Sequence, residues 1–81
     1  MISAEQIKAS RALLGWSAAE LAKHSTVGAT TLRRYEMLAG VPAANLSVLM
    51  KLKATLESAG IEFTGDPLVN PGVTLRIKRD N

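Results

Sequence analysis

Residues 17–36 read SAAELAKHSTVGATTLRRYE, and the pattern inside this stretch decides the fold. Ser17 is followed three residues later by Glu20. In that spacing the hydroxyl serves a free amide of the first helical turn and the carboxylate reaches back to the serine amide, so a helix starts here. Ser25-Thr26-Val27-Gly28 is too short and too turn-like to be anything but a sharp bend. After it, Leu32 and Tyr35 stand at i,i+3 spacing and share one face of a second short helix. Two helices crossing steeply at so short a turn nearly collide. Ala22 permits the approach, and Leu21, Val27 and Leu32 are expected to fill the angle.

The outer face of the second helix follows from about 100° per residue. Leu32, Tyr35 and Gly28 point inward, with Thr31 at the edge. Thr30, Arg33 and Met37 point outward, flanked by Ala29 and Arg34. Arginine suits phosphates and the paired acceptors of guanine, and threonine can donate, accept or meet the thymine methyl. Two arginines are also common on any solvated helix, so this face alone leaves solvent and a polyanion as alternatives.

The longer run RALLGWSAAELAKHSTVGATTLRRYE, residues 11–36, resembles the lambda-repressor-like (Xre/Cro-type) helix-turn-helix transcriptional regulators. The resemblance rests on Arg11, Leu14-Gly15, Trp16, Ser17, Glu20-Leu21-Ala22, Val27, Thr31-Leu32, Tyr35 and Glu36. It implies a four-helix domain whose helix over residues 28–37 enters the major groove of double-stranded DNA. Ala29, Thr30, Arg33 and Arg34 would then face base edges, and Ser17, Ala18, Gly28 and Thr31 would lie at phosphates. It also implies a structural ion pair between Arg11 and Glu36. Three positions depart from the family. Ala18 stands where a glutamine holds a phosphate, Thr26 where a glycine makes the turn, and Gly28 where a serine or threonine caps the helix. A β-branched residue resists the left-handed backbone such a turn often needs.

The bulk properties narrow the class. Eighty-one residues make one domain with a small core, so modest stability or help from a partner is expected. Cysteine is absent, which excludes disulfides and thiolate metal sites. With 47% apolar residues and three prolines the chain should be globular. No stretch has the length of a membrane span and no basic-then-apolar leader opens the chain, so a cytoplasmic protein without membrane contact is expected. The net charge of +3 suits a polyanionic partner without proving one. Arg33 and Arg34 adjoin, and Arg76, Lys78 and Arg79 cluster near the end. One histidine and scattered carboxylates offer neither a nucleophile–base pair nor a metal site, and the six glycines are dispersed rather than gathered in a phosphate loop. No enzyme and no cofactor is expected. His24 should face solvent or lie near a phosphate on the second helix. Trp16 can stack on a base or a partner, but packing where the first helix meets the second is the simpler role.

Around the central stretch, residues 3–14 read as a helix capped by Ser3 and Gln6, with Ile7, Leu13 and Leu14 inward beside Ala4 and Ala12, and ended by Gly15. Residues 37–44 form a connector broken by Gly40 and Pro42. A long helix over residues 45–59 carries Leu46, Leu49, Met50, Leu52, Leu56 and Ala59 as a broad apolar stripe. Residues 61–64 and 73–79 alternate apolar and polar, between turn signals, as two antiparallel strands. The expected fold is therefore mainly α, a helical core over residues 1–59 with a small two-stranded β element in residues 60–81. Such a ribbon must pack on the long helix or pair with a second copy. Leu49, Leu56, Phe63, Val73, Leu75 and Ile77 are the expected homodimer contacts. The function expected is a dimeric repressor reading a pseudo-palindromic operator. The alternative is a protein-interaction module, an antitoxin or antiactivator, that uses the same fold to grip a protein partner.

Overall fold

The computed structural model describes residues 1–38, 40 and 45–77. Pro42, Lys78 and Arg79, which entered the expectations above, lie outside the described residues. In chain order the elements are α1 (Ala4–Leu14), α2 (Ala18–Ser25), α3 (Ala29–Met37), α4 (Leu46–Ser58), β1 (Ile61–Thr64) and β2 (Gly72–Leu75). The architecture is mainly helical, with four helices and one two-stranded antiparallel sheet.

Helix α1 begins as the sequence indicates. The Ser3 hydroxyl accepts from the Gln6 amide at 3.1 Å and the Ser3 amide donates to Gln6 Oε1 at 2.9 Å. Gly15, at φ 70°, ends the helix in the left-handed region. The Gly15 and Trp16 amides then bond back to the carbonyls of Ala12 and Arg11, satisfying two of the free acceptors of the last turn. The inward stripe differs from expectation. Ala4, Ile7 and Ser10 are buried, whereas Ala12 and Leu13 are exposed. Leu13 lies about 120° around the helix from Ile7, too far to share its face.

Ser17 and Glu20 close a second capping box at the start of α2. The bend that follows is held from inside. The buried Ser25 hydroxyl donates to the Leu21 carbonyl at 2.7 Å and accepts from the Val27 amide at 3.2 Å. Thr26 takes the left-handed conformation, φ 60° and ψ 17°, although it is β-branched. Leu21, Val27 and Leu32 meet in the core between α2 and α3. Gly28 is exposed rather than inward, because it stands ahead of α3 as its extended cap, where helical angles do not apply.

On α4 the leucines at positions 49, 52 and 56 are buried against Ile2, Ile7, Leu21, Leu32 and Ile61, forming one core. This corrects the expected dimer contacts. Leu49 is 2% and Leu56 0% exposed, so both are used within the chain and neither is open to a second copy. The uncovered large apolar side chains of α4 are Leu46, 54% exposed, and Met50, 61% exposed.

The sheet pairs Ile61 with Leu75, Glu62 with Thr74, Phe63 with Val73 and Thr64 with Gly72. Ile61, Phe63, Val73 and Leu75 thus share one face, and all four pack against the core. Phe63, Val73 and Leu75 are half-buried on that inner face. Strand β1 lies on α4 and β2 on α1. The second strand is shorter than expected. Arg76 still donates its amide to the Gly60 carbonyl at 2.8 Å, but at Gly60 the opposing backbone runs back into α4 and pairing ends. Ile77 is exposed beyond the sheet. Gly60 has φ 107°, and a Cβ there would stand 2.6 Å from the Arg76 carbonyl oxygen, so only glycine fits this corner.

One side chain ties the sheet to the first helix. Gln6 Nε2 donates to the carbonyls of Gly72 at 3.0 Å and Thr64 at 3.3 Å. Its Oε1 meanwhile caps α1, so one buried amide both starts a helix and anchors both strands.

Candidate nucleic-acid interface

Helix α3 has two unlike faces, and the difference begins in its nine residues ATTLRRYEM. Leu32, Tyr35 and Glu36 are buried. Thr30, Arg33, Arg34 and Met37 recur at i, i+3, i+4 and i+7 and are all exposed. Ala29 and Thr31 lie half-buried at the two edges.

The inner face is held by a charge pair as well as by apolar packing. Arg11 Nε donates to Glu36 Oε2 at 2.7 Å and its Nη2 donates to Oε1 at 2.5 Å. The fork is bidentate, the strongest geometry available to these groups. A third donor, Nη1, meets the Trp16 carbonyl at 3.0 Å. One guanidinium therefore joins α1, α3 and the bend before α2. Its hydrogen bonds to the Glu36 carboxylate push the Arg11 pKa up, against a smaller opposing effect of burial, and the carboxylate's charge adds to the rise. Arg11 is thus a fixed cation.

On the outer face, neither Arg33 nor Arg34 has an ion-pair partner among the described residues. Lys23 and His24 are exposed in the last turn of α2. The His24 ring stacks on Trp16, with centroids 4.4 Å apart and planes 14° from parallel. Trp16 is half-buried beside the core, which fits a packing role where α1 meets α2.

The remaining candidate residues differ in what they can offer. The Ser17 hydroxyl is engaged as the cap of α2, accepting from Glu20 at 3.1 Å. Ala18 is half-buried against the core and brings only its backbone amide at the start of α2. Gly28 brings an exposed backbone and no side-chain cap. Thr31 brings a half-buried hydroxyl. The structure gathers Thr30, Arg33 and Arg34 on one open face and leaves Ser17 and Ala18 on the neighbouring helix.

Two residues outside the expected site stand out, Met37 at the end of this face and Gln6, which joins α1 to the sheet away from it. Met37 is the most exposed large apolar side chain among the described residues, at 86%. Helical arithmetic already puts it outward, but its apolar character does not suggest a polar site. Gln6 has no signal in the sequence beyond its capping position. Among the described residues no group of His, Asp and Glu is placed to hold a metal, and no helix is long and apolar enough to cross a membrane. No protein-family model matches the chain, and no curated protein matches it in sequence.

Proposed function

We propose that this chain is a sequence-specific DNA-binding regulator of the lambda-repressor-like helix-turn-helix type, acting in the cytoplasm as a pair of copies. The observation that carries this reading is the division of α3. Its inner face is locked by Leu32, Tyr35 and the Arg11–Glu36 fork, while its outer face offers Thr30, Arg33 and Arg34 with no ion-pair partner among the described residues. A helix about 10–12 Å across fits the major groove, which is about 12 Å wide. There the arginines meet guanine acceptors or phosphates, and Thr30 meets an adjacent base edge. The amides at the starts of α2 and α3 face the backbone phosphates.

One helix makes too small a contact for tight specific binding. Two copies place their α3 helices on half-sites about 34 Å apart, one turn of DNA. Leu46 and Met50 are the apolar side chains of α4 open to that association, beside Met1 on a groove of about 500 Å³. Occupying a promoter in this way represses transcription.

A second reading, a protein-interaction module, draws on the loop between β1 and β2. Leu68 and Val69 are exposed there, while Asp66 and Asn70 hold the loop through bonds to the Leu68 and Asp66 amides at 2.8 and 2.6 Å. A stiff loop that displays two apolar side chains suits a protein partner.

The test is selection of duplexes from a random library by the purified chain, followed by fluorescence anisotropy at two salt concentrations. Enriched duplexes that outbind a scrambled one, with a preference that survives the higher salt, support the DNA reading. Weak, equal binding lost with salt is charge-driven contact only and leaves the protein-interaction reading.

A further inference from the structure

Gly40 stands three residues beyond the end of α3, and the first turn of α1 holds both polar groups of its backbone. The Ala4 amide donates to the Gly40 carbonyl at 2.9 Å. The Gly40 amide donates to the Glu5 carboxylate, at 3.1 Å to Oε1 and 3.4 Å to Oε2. The first bond satisfies an amide that the start of a helix leaves without an intrahelical partner. The second is charge-assisted and so among the stronger bonds of its kind. Gly40 takes the left-handed region at φ 71°, and a Cβ there would stand 3.2 Å from the Leu68 side chain, so the position is crowded as well as bonded.

This clamp is a second point at which α3 is tied to α1. The first is the fork of Arg11 on Glu36. Glu5 and Arg11 are six residues apart, about 9 Å along α1. One directed attachment leaves a helix free to pivot about it, whereas two attachments so far apart fix its direction. Leu32 and Tyr35 add apolar packing, which is non-directional and fixes an angle less sharply. The clamp also lies next to the groove between Met1, Leu46 and Met50. Ile2, Ser3 and Ala4 are all buried, so the chain between Met1 and the clamp is held throughout.

We infer that Glu5 is a positioning residue: by clamping Gly40 it fixes the direction of α3 relative to the groove where two copies meet, and so the separation of the two α3 helices on DNA. The inference rests on the DNA-binding reading and on association at α4. Its effect is on which spacing of half-sites the pair accepts, not on which bases are read. One added base pair moves a half-site about 3.4 Å along the duplex and about 35° around it. A pair whose α3 helices have fixed directions cannot follow both changes.

The experiment takes the enriched duplex from the library selection and a second duplex with one base pair inserted between its half-sites. The full chain and its Glu5→Ala and Glu5→Gln variants are titrated against both by anisotropy. The insertion should weaken binding of the unaltered chain at least about tenfold, a cost of the size of a mismatched base pair. For Glu5→Ala the same insertion should cost about threefold or less, because the support of α3 is loosened. Glu5→Gln keeps an oxygen acceptor for the Gly40 amide and should keep the tenfold penalty. A merely structural role for Glu5 weakens binding to both duplexes in proportion and leaves their ratio alone, and that result overturns the inference. Glu5→Gln behaving as Glu5→Ala overturns it too. An enriched duplex with a single half-site, or no penalty for the unaltered chain, overturns it and leaves DNA binding standing. Failure of any duplex to be enriched overturns both.

Discussion

Arg11 on α1 and Glu36 on α3 are joined by two parallel hydrogen bonds of 2.7 and 2.5 Å, although 25 residues separate them in sequence. Glu36 is buried and the Arg11 side chain is 22% exposed, so the pair sits at the margin of the core. Removing one partner leaves the other uncompensated, at roughly 3–5 kcal/mol for a fully buried pair. Solvent at the Arg11 end lowers the expectation for Arg11→Met to about 2–4 kcal/mol by denaturant unfolding. Arg11→Lys should recover only part of this, because an ammonium does not reproduce the fork. The Arg11 pKa is raised on folding, so its contribution is fully present below the unfolded value and lost only as pH rises through the folded one. The stability gap between the chain and Arg11→Met should therefore stay flat from roughly pH 7 to 10. A gap that closes within that window counts against the assignment.

Thr26 stands in the left-handed region with a branched Cβ, at an exposed position. Relief of that strain, about 1–2 kcal/mol, should exceed the added unfolded-state freedom of glycine, about 0.4–1 kcal/mol. Thr26→Gly is expected to raise the melting temperature by a few degrees, by about 4–8 °C per kcal/mol for a domain of this size. A lowered Tm would mean that the Thr26 hydroxyl, which donates to the Ser25 carbonyl at 2.6 Å, contributes more than the strain costs.

Gln6 combines a cap and an anchor, and two substitutions separate them. Gln6→Glu keeps an acceptor for the Ser3 amide and loses both donors to Thr64 and Gly72. It should cost roughly 1–3 kcal/mol and raise hydrogen exchange in β1 and β2 more than at the start of α1. Gln6→Ala should raise exchange in both places. Equal patterns for the two variants would show that the anchor contributes nothing beyond the cap.

The two sides of α4 should respond differently. Leu56→Ala removes a fully buried side chain and should cost about 2–5 kcal/mol of stability. Met50→Glu should leave stability within about 0.5 kcal/mol, because the side chain is exposed, and should weaken self-association in sedimentation. Unchanged association of Met50→Glu would move the contact between copies away from this groove.

Arg34→Ala distinguishes base reading from phosphate contact. Loss of one bidentate guanine contact should reduce the preference for the selected duplex by about 1–3 kcal/mol, with little loss on scrambled DNA. Equal losses on both, with a shallower dependence on salt, would make Arg34 a phosphate contact.

Reading the residues in order was enough for the local structure. The two capping boxes, the bend at residues 25–28, the left-handed strain at Thr26 and the outward set Thr30, Arg33, Arg34 and Met37 all depend on neighbours within about one or two helical turns, and such spacing is written in the chain. Tertiary packing decided how faces are shared. Leu46, Leu49, Met50 and Leu56 look alike as an apolar stripe, yet the core takes Leu49 and Leu56 and leaves Leu46 and Met50 outside. Periodicity measures which residues share a side of a helix, whereas burial depends on which other elements arrive there. Helix α1 shows the same limit, since Ser10 is buried and Leu13 is not. Gln6 could be read as a cap but not as the anchor of two strands nearly sixty or more residues away, because a hydrogen bond across that separation exists only once the sheet has docked on α1.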